Sequence, residues 1–156
     1  QPLDSDLLPC LNTLSSNLKL ACHRLSDHHI QPVFEMINST DMPRFLVQNI
    51  AQAQEMLEAV QHPALKIQYD CYHMAMMGED VLEALKENIH DIGHIQFADC
   101  PGRHEPDTAQ IHFAEIFQWL NQSAYSGYIA AEYRPQAHSS HSFAWKDKYF
   151  AKHPQS

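Results

Sequence analysis

Four short apolar runs in this chain each end in a polar residue that carries a side-chain oxygen. The runs span residues 33–35, 66–70, 93–96 and 129–132, and their last residues are Glu35, Asp70, Gln96 and Glu132. Segments of helical periodicity separate the runs, and a short apolar run that precedes a helix is typical of a buried parallel strand. Strands that alternate with helices form a parallel sheet whose functional site lies at the carboxyl ends of the strands. The sequence therefore predicts an α/β fold with four oxygen ligands at one end of the sheet.

Apolar spacing and turn residues define the expected elements along the chain. We expect helices over residues 4–29, 45–60, 78–89, 113–121 and 143–151, and strands over residues 33–37, 65–69, 92–98 and 128–133. Asp41 is expected to cap the second helix, because an Asp side chain often accepts a hydrogen bond at a helix start. No composition shift or low-complexity tract divides the chain, so we expect a single domain over residues 1–156.

The composition limits the classes of partner. The chain has 156 residues, 44% of them hydrophobic, which suits one packed domain. Its net charge of -9 argues against nucleic acid and against an anionic membrane surface as partners, since both attract basic proteins. The cysteines show no disulfide or metal-site spacing, so we expect free thiols and a reducing, cytoplasmic location. They are Cys10, Cys22, Cys71 and Cys100.

The chemistry of the four strand-end residues points to a hard metal ion. A buried carboxylate is costly unless a charged partner or a cation offsets the cost. Three carboxylates and one amide oxygen suit Mg²⁺ or Mn²⁺ better than zinc, which prefers His and Cys. Each residue also has a structural alternative: either glutamate could pair with a neighbour such as Arg134, and Asp70 could cap a helix. Capping is less favoured, because residues 74–78 separate Asp70 from the next expected helix.

Residues that follow the second and third strands are candidates for substrate contacts. Arg103 lies in the polar loop after the third strand, where its guanidinium could bind a carboxylate through two parallel hydrogen bonds. The alternative for Arg103 is a salt bridge with Glu105 inside the loop. His73 could point into the same pocket, although an isolated histidine is more often structural. Asp99 could support Gln96 through a hydrogen bond outside the ligand set.

Several segments of the chain carry a family resemblance. They are Glu-Met-Ile-Asn at 35–38, Gln-Tyr-Asp-Cys-Tyr-His at 68–73, His-Ile-Gln-Phe-Ala-Asp at 94–99, Pro-Gly-Arg-His-Glu-Pro at 101–106, Tyr-Ser-Gly at 125–127 and Glu-Tyr-Arg-Pro at 132–135. Together they resemble the hydroxypyruvate isomerase family, which belongs to the xylose-isomerase-like TIM-barrel superfamily. The Tyr-Asp-x-Tyr-His stretch and the Pro-Gly-Arg-His-Glu-Pro loop are the most specific parts of the resemblance.

The resemblance implies a fold, a ligand set and a reaction. The implied fold is the C-terminal half of a (β/α)8 TIM barrel, with four parallel βα units preceded by a helix. The implied metal ligands are Glu35, Asp70, Gln96 and Glu132. Glu35 and Glu132 are implied to be the catalytic acid/base pair, and His73 and Arg103 to contact the substrate. The implied enzyme is a metal-dependent isomerase, with Mg²⁺ or Mn²⁺, that interconverts hydroxypyruvate and tartronate semialdehyde or a similar small hydroxy-carbonyl acid.

The chain departs from the family pattern in its loop and in its length. The family loop usually runs Asp-Asn-Pro-Gly-Arg-His-Glu-Pro-Gly-Thr-Gly-Glu, whereas this chain has Cys100 in place of the asparagine and Asp-Thr-Ala-Gln at 107–110. The lost glycines change the freedom of the loop backbone. A complete barrel of this type needs about 250 residues, and the sequence starts without a methionine. We therefore expect a part of a longer protein, without the first four strands.

Other functions remain open at this point. A catalytically inactive half-barrel that binds a partner chain is one alternative, and a related sugar epimerase is another. A metal-dependent endonuclease is weaker, because the chain is acidic and the extra His and Asp ligands of a zinc site are not evident. Open strand edges and an apolar inner face would promote association, so we expect the chain to self-associate or to pair with the missing half of the barrel.

Overall fold

The structure is a computed structural model that describes residues 4–150, with side chains described from residue 7 onward. Its elements are α1 (Asp4–Ser26), β1 (Val33–Glu35), α2 (Ile50–Val60), β2 (Lys66–Asp70), α3 (Cys71–Met76), α4 (Val81–Asn88), β3 (Ile92–Phe97), α5 (Phe113–Gln122), β4 (Tyr128–Ala131) and α6 (Ala144–Phe150), with a 3-10 turn over Ser139–His141. Ala151, the expected end of the last helix, lies outside the described residues. None of the helices between residues 4 and 150 is long and apolar enough to cross a membrane.

The four strands form one parallel sheet in the order β1-β2-β3-β4. Glu35 is in register with Gln68, Asp70 with Gln96, and Gln96 with Ala130. This register brings the oxygen-bearing ends of the strands together at the carboxyl end of the sheet. The alternation of strands and helices confirms the expected α/β fold of a partial barrel.

One face of the sheet packs against the helices and forms the core. Side chains alternate along each strand, and those directed to this face are Phe34, Ile67, Tyr69, Ile95, Phe97 and Ile129. The ring centroids of Phe113 and Phe117 on α5 lie 5.7 and 5.2 Å from that of Phe97. Burying one such side chain contributes roughly 1.5–3 kcal/mol relative to exposing it, so this face supplies the main stabilisation of the sheet.

Helix α1 joins the fold through a separate apolar cluster. Its buried members are Cys22, Met56, Val60 and Leu65, and Leu11, Leu14 and Leu18 of α1 pack against them. Helix α1 therefore lies on α2 and on the segment that leads into β2. The four cysteines are free thiols, as expected from their spacing.

The start of α2 corrects the expected helix at residue 45. Asn49 caps this helix, because its side-chain oxygen accepts a hydrogen bond from the Gln52 N–H at 2.9 Å. The preceding residues form a turn in which Arg44 has φ of 71° and the Phe45 N–H donates to the Met42 carbonyl. Asp41 is therefore not the cap. Asn49, directly before the apolar stripe, begins the helix instead.

Helix α3 was not expected from the sequence, and it corrects the argument against capping by Asp70. The helix starts directly after β2, and Asp70 is its N-cap, accepting a hydrogen bond from the Tyr72 N–H through Oδ1 at 2.9 Å. Cys71 to Met74 are buried on this short helix. A six-residue element has too few turns to show helical periodicity.

The face of the sheet away from the helices, here called the inner face, is polar rather than apolar. Its half-buried side chains include those of Glu35, Lys66, Gln68, His94 and Gln96. The expectation of an apolar inner face was wrong because the strands alternate apolar and polar residues instead of being apolar throughout.

Exposed apolar side chains lie on both edge strands of the sheet and on two helices. Val33 on β1 and Tyr128 on β4 are exposed, Tyr128 to 83%. Helices α1 and α6 also expose large side chains, which are Leu8 and Leu20 of α1 and Phe150 of α6. Exposed strand edges with apolar neighbours are surfaces that promote association.

Asp99 organises the long loop between β3 and α5. Its buried carboxylate accepts hydrogen bonds at 2.8–3.0 Å from four backbone N–H groups, those of Cys100, Thr108, Ala109 and Ile111. In addition, the Asp99 carbonyl accepts from the Arg103 N–H at 3.0 Å. The expectation that Asp99 supports Gln96 is therefore corrected, because both carboxylate oxygens are used by the loop backbone.

We expect Asp99→Ala to destabilise the chain by about 2–4 kcal/mol, because it leaves several buried N–H donors without an acceptor. Urea unfolding followed by circular dichroism measures this free energy. Asp147→Ala, on the exposed side of α6, is the matched control and is expected to have little effect. An equal loss in both variants would contradict the assignment.

Candidate active site

A cleft of about 680 Å³ lies at the carboxyl ends of the strands. Glu35 ends β1, His73 and Tyr72 come from α3, and Arg103 comes from the loop after β3. Glu132 lies one residue beyond β4, and its N–H donates to the Phe97 carbonyl at 3.0 Å, which continues the sheet register by one residue. The strand ends and the loop after β3 thus direct chemically active side chains into one space.

Glu35, Asp70 and His73 form the tightest group of potential ligands in the cleft. One atom from each lies within 4.8 Å of the others. His73 Nε2 is 3.9 Å from Glu35 Oε1 and 3.7 Å from Asp70 Oδ2. Glu35 Oε1 is buried, and no residue between 4 and 150 gives it a hydrogen bond. A buried oxygen without a partner is costly, so this position favours a bound cation or donor.

Asn38 fixes the orientation and the tautomer of His73. The Asn38 side-chain amide lies 2.6 Å from His73 Nδ1, and the Asn38 backbone N–H also points to this atom at 3.4 Å. Asn38 is fully buried, and its side-chain oxygen is held by the Asp41 N–H at 2.8 Å. Because Nδ1 faces two donors, it accepts, and the proton of the neutral ring is on Nε2. The Nε2–H of His73 therefore faces the carboxylates of Glu35 and Asp70 at distances longer than a hydrogen bond, and this tautomer does not suit a metal ligand.

Arg103 connects two of the acidic side chains. Its Nη2 donates to Asp70 Oδ2 at 3.3 Å and to Glu132 Oε2 at 2.5 Å. Its guanidinium carbon lies 5.1 Å from the centre of the Tyr72 ring, within the range of a cation–π contact. The alternative of an Arg103–Glu105 salt bridge is wrong, because Glu105 instead accepts from the Gln136 N–H.

The backbone around Arg103 is held in an unusual conformation. Arg103 has φ of 57°, and Gly102 before it has φ of 104°. A Cβ at Gly102 would lie 2.6 Å from the ring of His104, so glycine is required there. The Arg103 carbonyl accepts from the Arg134 N–H at 2.7 Å. Backbone strain of this kind is concentrated at functional sites.

The Gln96 side chain is hydrogen-bonded to a neighbour that was not predicted from the sequence. Its side-chain oxygen accepts from the Gln68 amide at 2.6 Å. Gln68 lies two residues before Asp70 in the strand and therefore on the same face of the sheet. That spacing was the available signal for Gln68. Asn38 had a weaker signal, since it lies three residues beyond Glu35.

The sequence matches a known family over nearly its whole length. Residues 2–149 match the xylose isomerase-like TIM barrel family. The chain belongs to the xylose isomerase-like TIM barrel family. The expected family resemblance is thereby confirmed.

Relatives in this xylose isomerase-like family are about one-third identical to the chain over the aligned residues. It is 34% identical over 151 residues to 2-oxo-tetronate isomerase of Cupriavidus necator, covering 97% of this chain and 58% of the relative. It is 36% identical over 137 residues to hydroxypyruvate isomerase of Escherichia coli, covering 88% and 53%. The crystal structure of AP endonuclease, family 2, from Brucella melitensis superposes with a TM-score of 0.88 at 28% identity, covering 92% and 56%. The chain thus spans little more than half the length of these relatives.

Burial and mutual repulsion set the charges in the cleft of this xylose isomerase-like chain. Burial raises the pKa of Glu35 to about 7, and the Asp70 and Glu132 carboxylates add to the rise. Burial also raises the pKa of Asp70 to about 6, although the Tyr72 N–H and Arg103 oppose it. Burial, followed by the charge of Arg103, lowers the pKa of His73 to about 4. At neutral pH the cleft therefore holds more negative charge than Arg103 neutralises.

The carboxylate and amide oxygens at the strand ends have the chemistry that a hard divalent cation prefers. Glu35 Oε1 is without a partner, and Asp70 Oδ2 remains directed into the cleft while Oδ1 caps α3. Glu132 lies on the far side of the Arg103 guanidinium, and the Gln96 oxygen is held by Gln68. Of these four residues, Glu35 alone has a buried oxygen without a partner within the described residues, whereas Asp70 and Glu132 are bound by Arg103 and Gln96 by Gln68 in this structure.

The raised pKa of Glu35 makes the stability of the chain depend on pH. The folded state binds the Glu35 proton more tightly than the unfolded state does. The stabilisation of the fold by this proton is therefore present below the ordinary pKa of 4.5 and is lost as pH rises through about 7. We expect Glu35→Gln to remove this loss. In EDTA, the variant should exceed the wild type in free energy of unfolding above pH 7 by on the order of 2 kcal/mol, and this advantage should disappear toward pH 4.5.

Chemical denaturation at a series of pH values tests this expectation. Glu58→Gln, on the exposed face of α2, changes the net charge equally and serves as the matched control. Parallel curves for Glu35→Gln and the wild type would refute the electrostatic account of Glu35.

Proposed function

We propose that the chain belongs to a metal-dependent isomerase that interconverts hydroxypyruvate and tartronate semialdehyde, or a similar small hydroxy-carbonyl acid. The observation that carries this proposal is the convergence of three carboxylates with His73 and Arg103 at the strand ends. The carboxylates are those of Glu35, Asp70 and Glu132. The relatives named hydroxypyruvate isomerase and 2-oxo-tetronate isomerase support the same class of reaction.

The proposed reaction moves one hydrogen between adjacent carbons. A carboxylate removes a proton from the hydroxymethyl carbon of hydroxypyruvate, and the electron pair of that bond forms an enediolate with the neighbouring carbonyl. A carboxylic acid then delivers a proton to the former carbonyl carbon, while the hydroxyl proton passes from one oxygen to the other. The product is an aldehyde with the same atoms and the same oxidation level.

Glu35 and Glu132 are the proposed acid/base pair for these two proton transfers. The pKa of about 7 at Glu35 suits a group that must both accept and return a proton near neutral pH. Glu132 is 51% exposed and is ion-paired with Arg103. The geometry supports either direction of transfer, so we assign no fixed order to the two residues.

A divalent cation is the proposed cofactor, with Mg²⁺ or Mn²⁺ favoured by the oxygen ligands. Glu35 and Asp70 would hold it, with Gln96 and Glu132 completing the set that the family resemblance implies. When bound there, such a cation would polarise the substrate carbonyl and stabilise the negative charge that develops on oxygen.

His73 and Arg103 are the proposed substrate contacts. The His73 Nε2–H, fixed by Asn38, is available to donate to a substrate oxygen. Arg103 uses only Nη2 in side-chain hydrogen bonds among residues 4–150, so its Nε and Nη1 donors remain for a substrate carboxylate. This arrangement favours an acid over a neutral sugar as substrate.

An inactive half-barrel that needs a partner is the second candidate function. The open edges of the four-stranded sheet support it, because a cleft at the end of a half-barrel lacks the wall that further strands would provide.

The four free thiols support the reducing, cytoplasmic location expected from the sequence.

Deuterium exchange tests the proposed reaction. Hydroxypyruvate is incubated in D2O with Mg²⁺ or Mn²⁺ and the 156-residue chain, alone or fused after the leading βα units of a full-length relative. We expect carbon-bound deuterium and tartronate semialdehyde by NMR from the fusion. Glu35→Gln and Glu132→Gln should each lower the exchange rate at least about a hundredfold, because each removes a proton-transfer group.

Glu115→Gln, on an exposed position of α5, is the matched control for this experiment. Near-normal exchange in either site variant would remove that glutamate from the mechanism. An active fusion that prefers a neutral ketose would indicate a sugar epimerase, and a folded fusion without exchange would favour the inactive half-barrel.

The 156-residue chain alone is expected to associate. The exposed apolar side chains on the edge strands and on helices α1 and α6 should bring together two copies, or one copy and the complementary βα units. Light scattering coupled to size exclusion should give a mass above that of one chain at tens of micromolar. Lys substitutions at Leu8 and Leu20 should reduce the association, and a monodisperse wild-type monomer would contradict this expectation.

A further inference from the structure

We propose that the Arg103 guanidinium occupies the cation position of the site until a divalent ion displaces it from Asp70 and Glu132. The released guanidinium then binds the substrate carboxylate. This inference rests on the proposed function. It adds an order of events to that function, in which the metal ion binds first and thereby makes Arg103 available to the acid.

The first support is the position of the Arg103 guanidinium between two acidic groups. Nη2 lies 3.3 Å from Asp70 Oδ2 and 2.5 Å from Glu132 Oε2, and both residues belong to the expected ligand set. A cation that binds both carboxylates must therefore take the place of this guanidinium. One guanidinium facing three carboxylates leaves unbalanced negative charge, so a divalent ion has an electrostatic advantage over Arg103.

The second support is that only the side chain of Arg103 is free to move. Its N–H donates to the Asp99 carbonyl at 3.0 Å, and its carbonyl accepts from the Arg134 N–H at 2.7 Å. The Asp99 carboxylate in turn holds four N–H groups of the loop. The loop is thus fixed, and rotation about the side-chain bonds is the remaining way to release the guanidinium.

The third support is an aromatic contact that the guanidinium already makes and can keep when its ion pairs are broken. The Tyr72 ring lies 5.1 Å from the Arg103 guanidinium carbon, and the Tyr72 hydroxyl donates to Asp41 Oδ2 at 2.9 Å. A ring held in place by this hydrogen bond can keep the cation near its face after the ion pairs are broken. The Arg103 side chain is 23% exposed and faces the cleft, so release directs its unused donors toward bound substrate.

Arginine labelling of the wild-type chain provides the direct test. Phenylglyoxal modifies accessible guanidinium groups, and mass spectrometry locates the modified residue. Addition of Mg²⁺ should speed the modification of Arg103 several-fold, because its ion pairs are broken. Arg134 lines the same cleft and makes no ion pair in the described part of the chain, so its rate should not change. An unchanged or slower rate at Arg103 would overturn the proposal.

Cation affinity provides the second test and uses a variant pair with the same change in charge. Isothermal titration with Mn²⁺ compares Arg103→Met with Arg134→Met in the 156-residue chain. Loss of a competing charge-assisted contact should tighten Mn²⁺ binding at Arg103→Met by at least about tenfold more than at Arg134→Met. Equal tightening would mean that Arg103 acts only through its charge, and the proposal would fail.

The outcomes separate this inference from the proposed function. Mn²⁺ binding by Arg103→Met but not by the wild type would mean that the ion does not displace the guanidinium, and the exchange would be overturned. Absence of Mn²⁺ binding in all variants would overturn the exchange. Deuterium exchange in the fused barrel, measured without any Arg103 variant, tests the isomerase independently of these results.

Discussion

The buried carboxylate of Asp70 connects the sheet to every part of the site. Its side chain is not exposed at all, so each oxygen needs a partner within the protein. Oδ1 accepts the Tyr72 N–H and so begins α3 at the last residue of β2. Oδ2 faces Arg103 and His73. One carboxylate therefore fixes the position of the helix that carries His73 and attracts the loop that carries Arg103.

The two faces of the sheet have different roles: the helix-covered face stabilises the fold, and the inner face carries residues of the candidate site. Phe97 and its aromatic neighbours on α5 lie on the helix-covered face, where burial stabilises the fold. Glu35 lies on the inner face, where burial, and after it the Asp70 and Glu132 carboxylates, raise its pKa at a cost to the folded state. The apolar face offsets this cost. Carboxylates that repel one another can remain close together because the opposite face of the same strands is packed against the helices.

The alternation of apolar and polar residues predicted the strands and the residues at their ends. Glu35 and Asp70 were placed correctly at the carboxyl end of the sheet because a strand end is marked by the change from apolar to polar residues. The role of Asp99 and the partners of Arg103 could not be predicted, because both depend on backbone donors and carboxylates brought together only by folding. The capping role of Asp70 was misjudged for a similar reason: α3 is too short to leave a periodic signal.

The missing part of the barrel bears on the strength of each interaction in the cleft. Glu132 is 51% exposed and Arg103 is 23% exposed, so water screens their attraction in the half-barrel. Strands that covered the inner face would remove this water and strengthen every charge interaction at the carboxyl ends. Such strands would also pair the open edges of β1 and β4, where apolar side chains are exposed. The described half therefore supplies the side chains of the proposed site, whereas a low-dielectric environment around them requires a second set of strands.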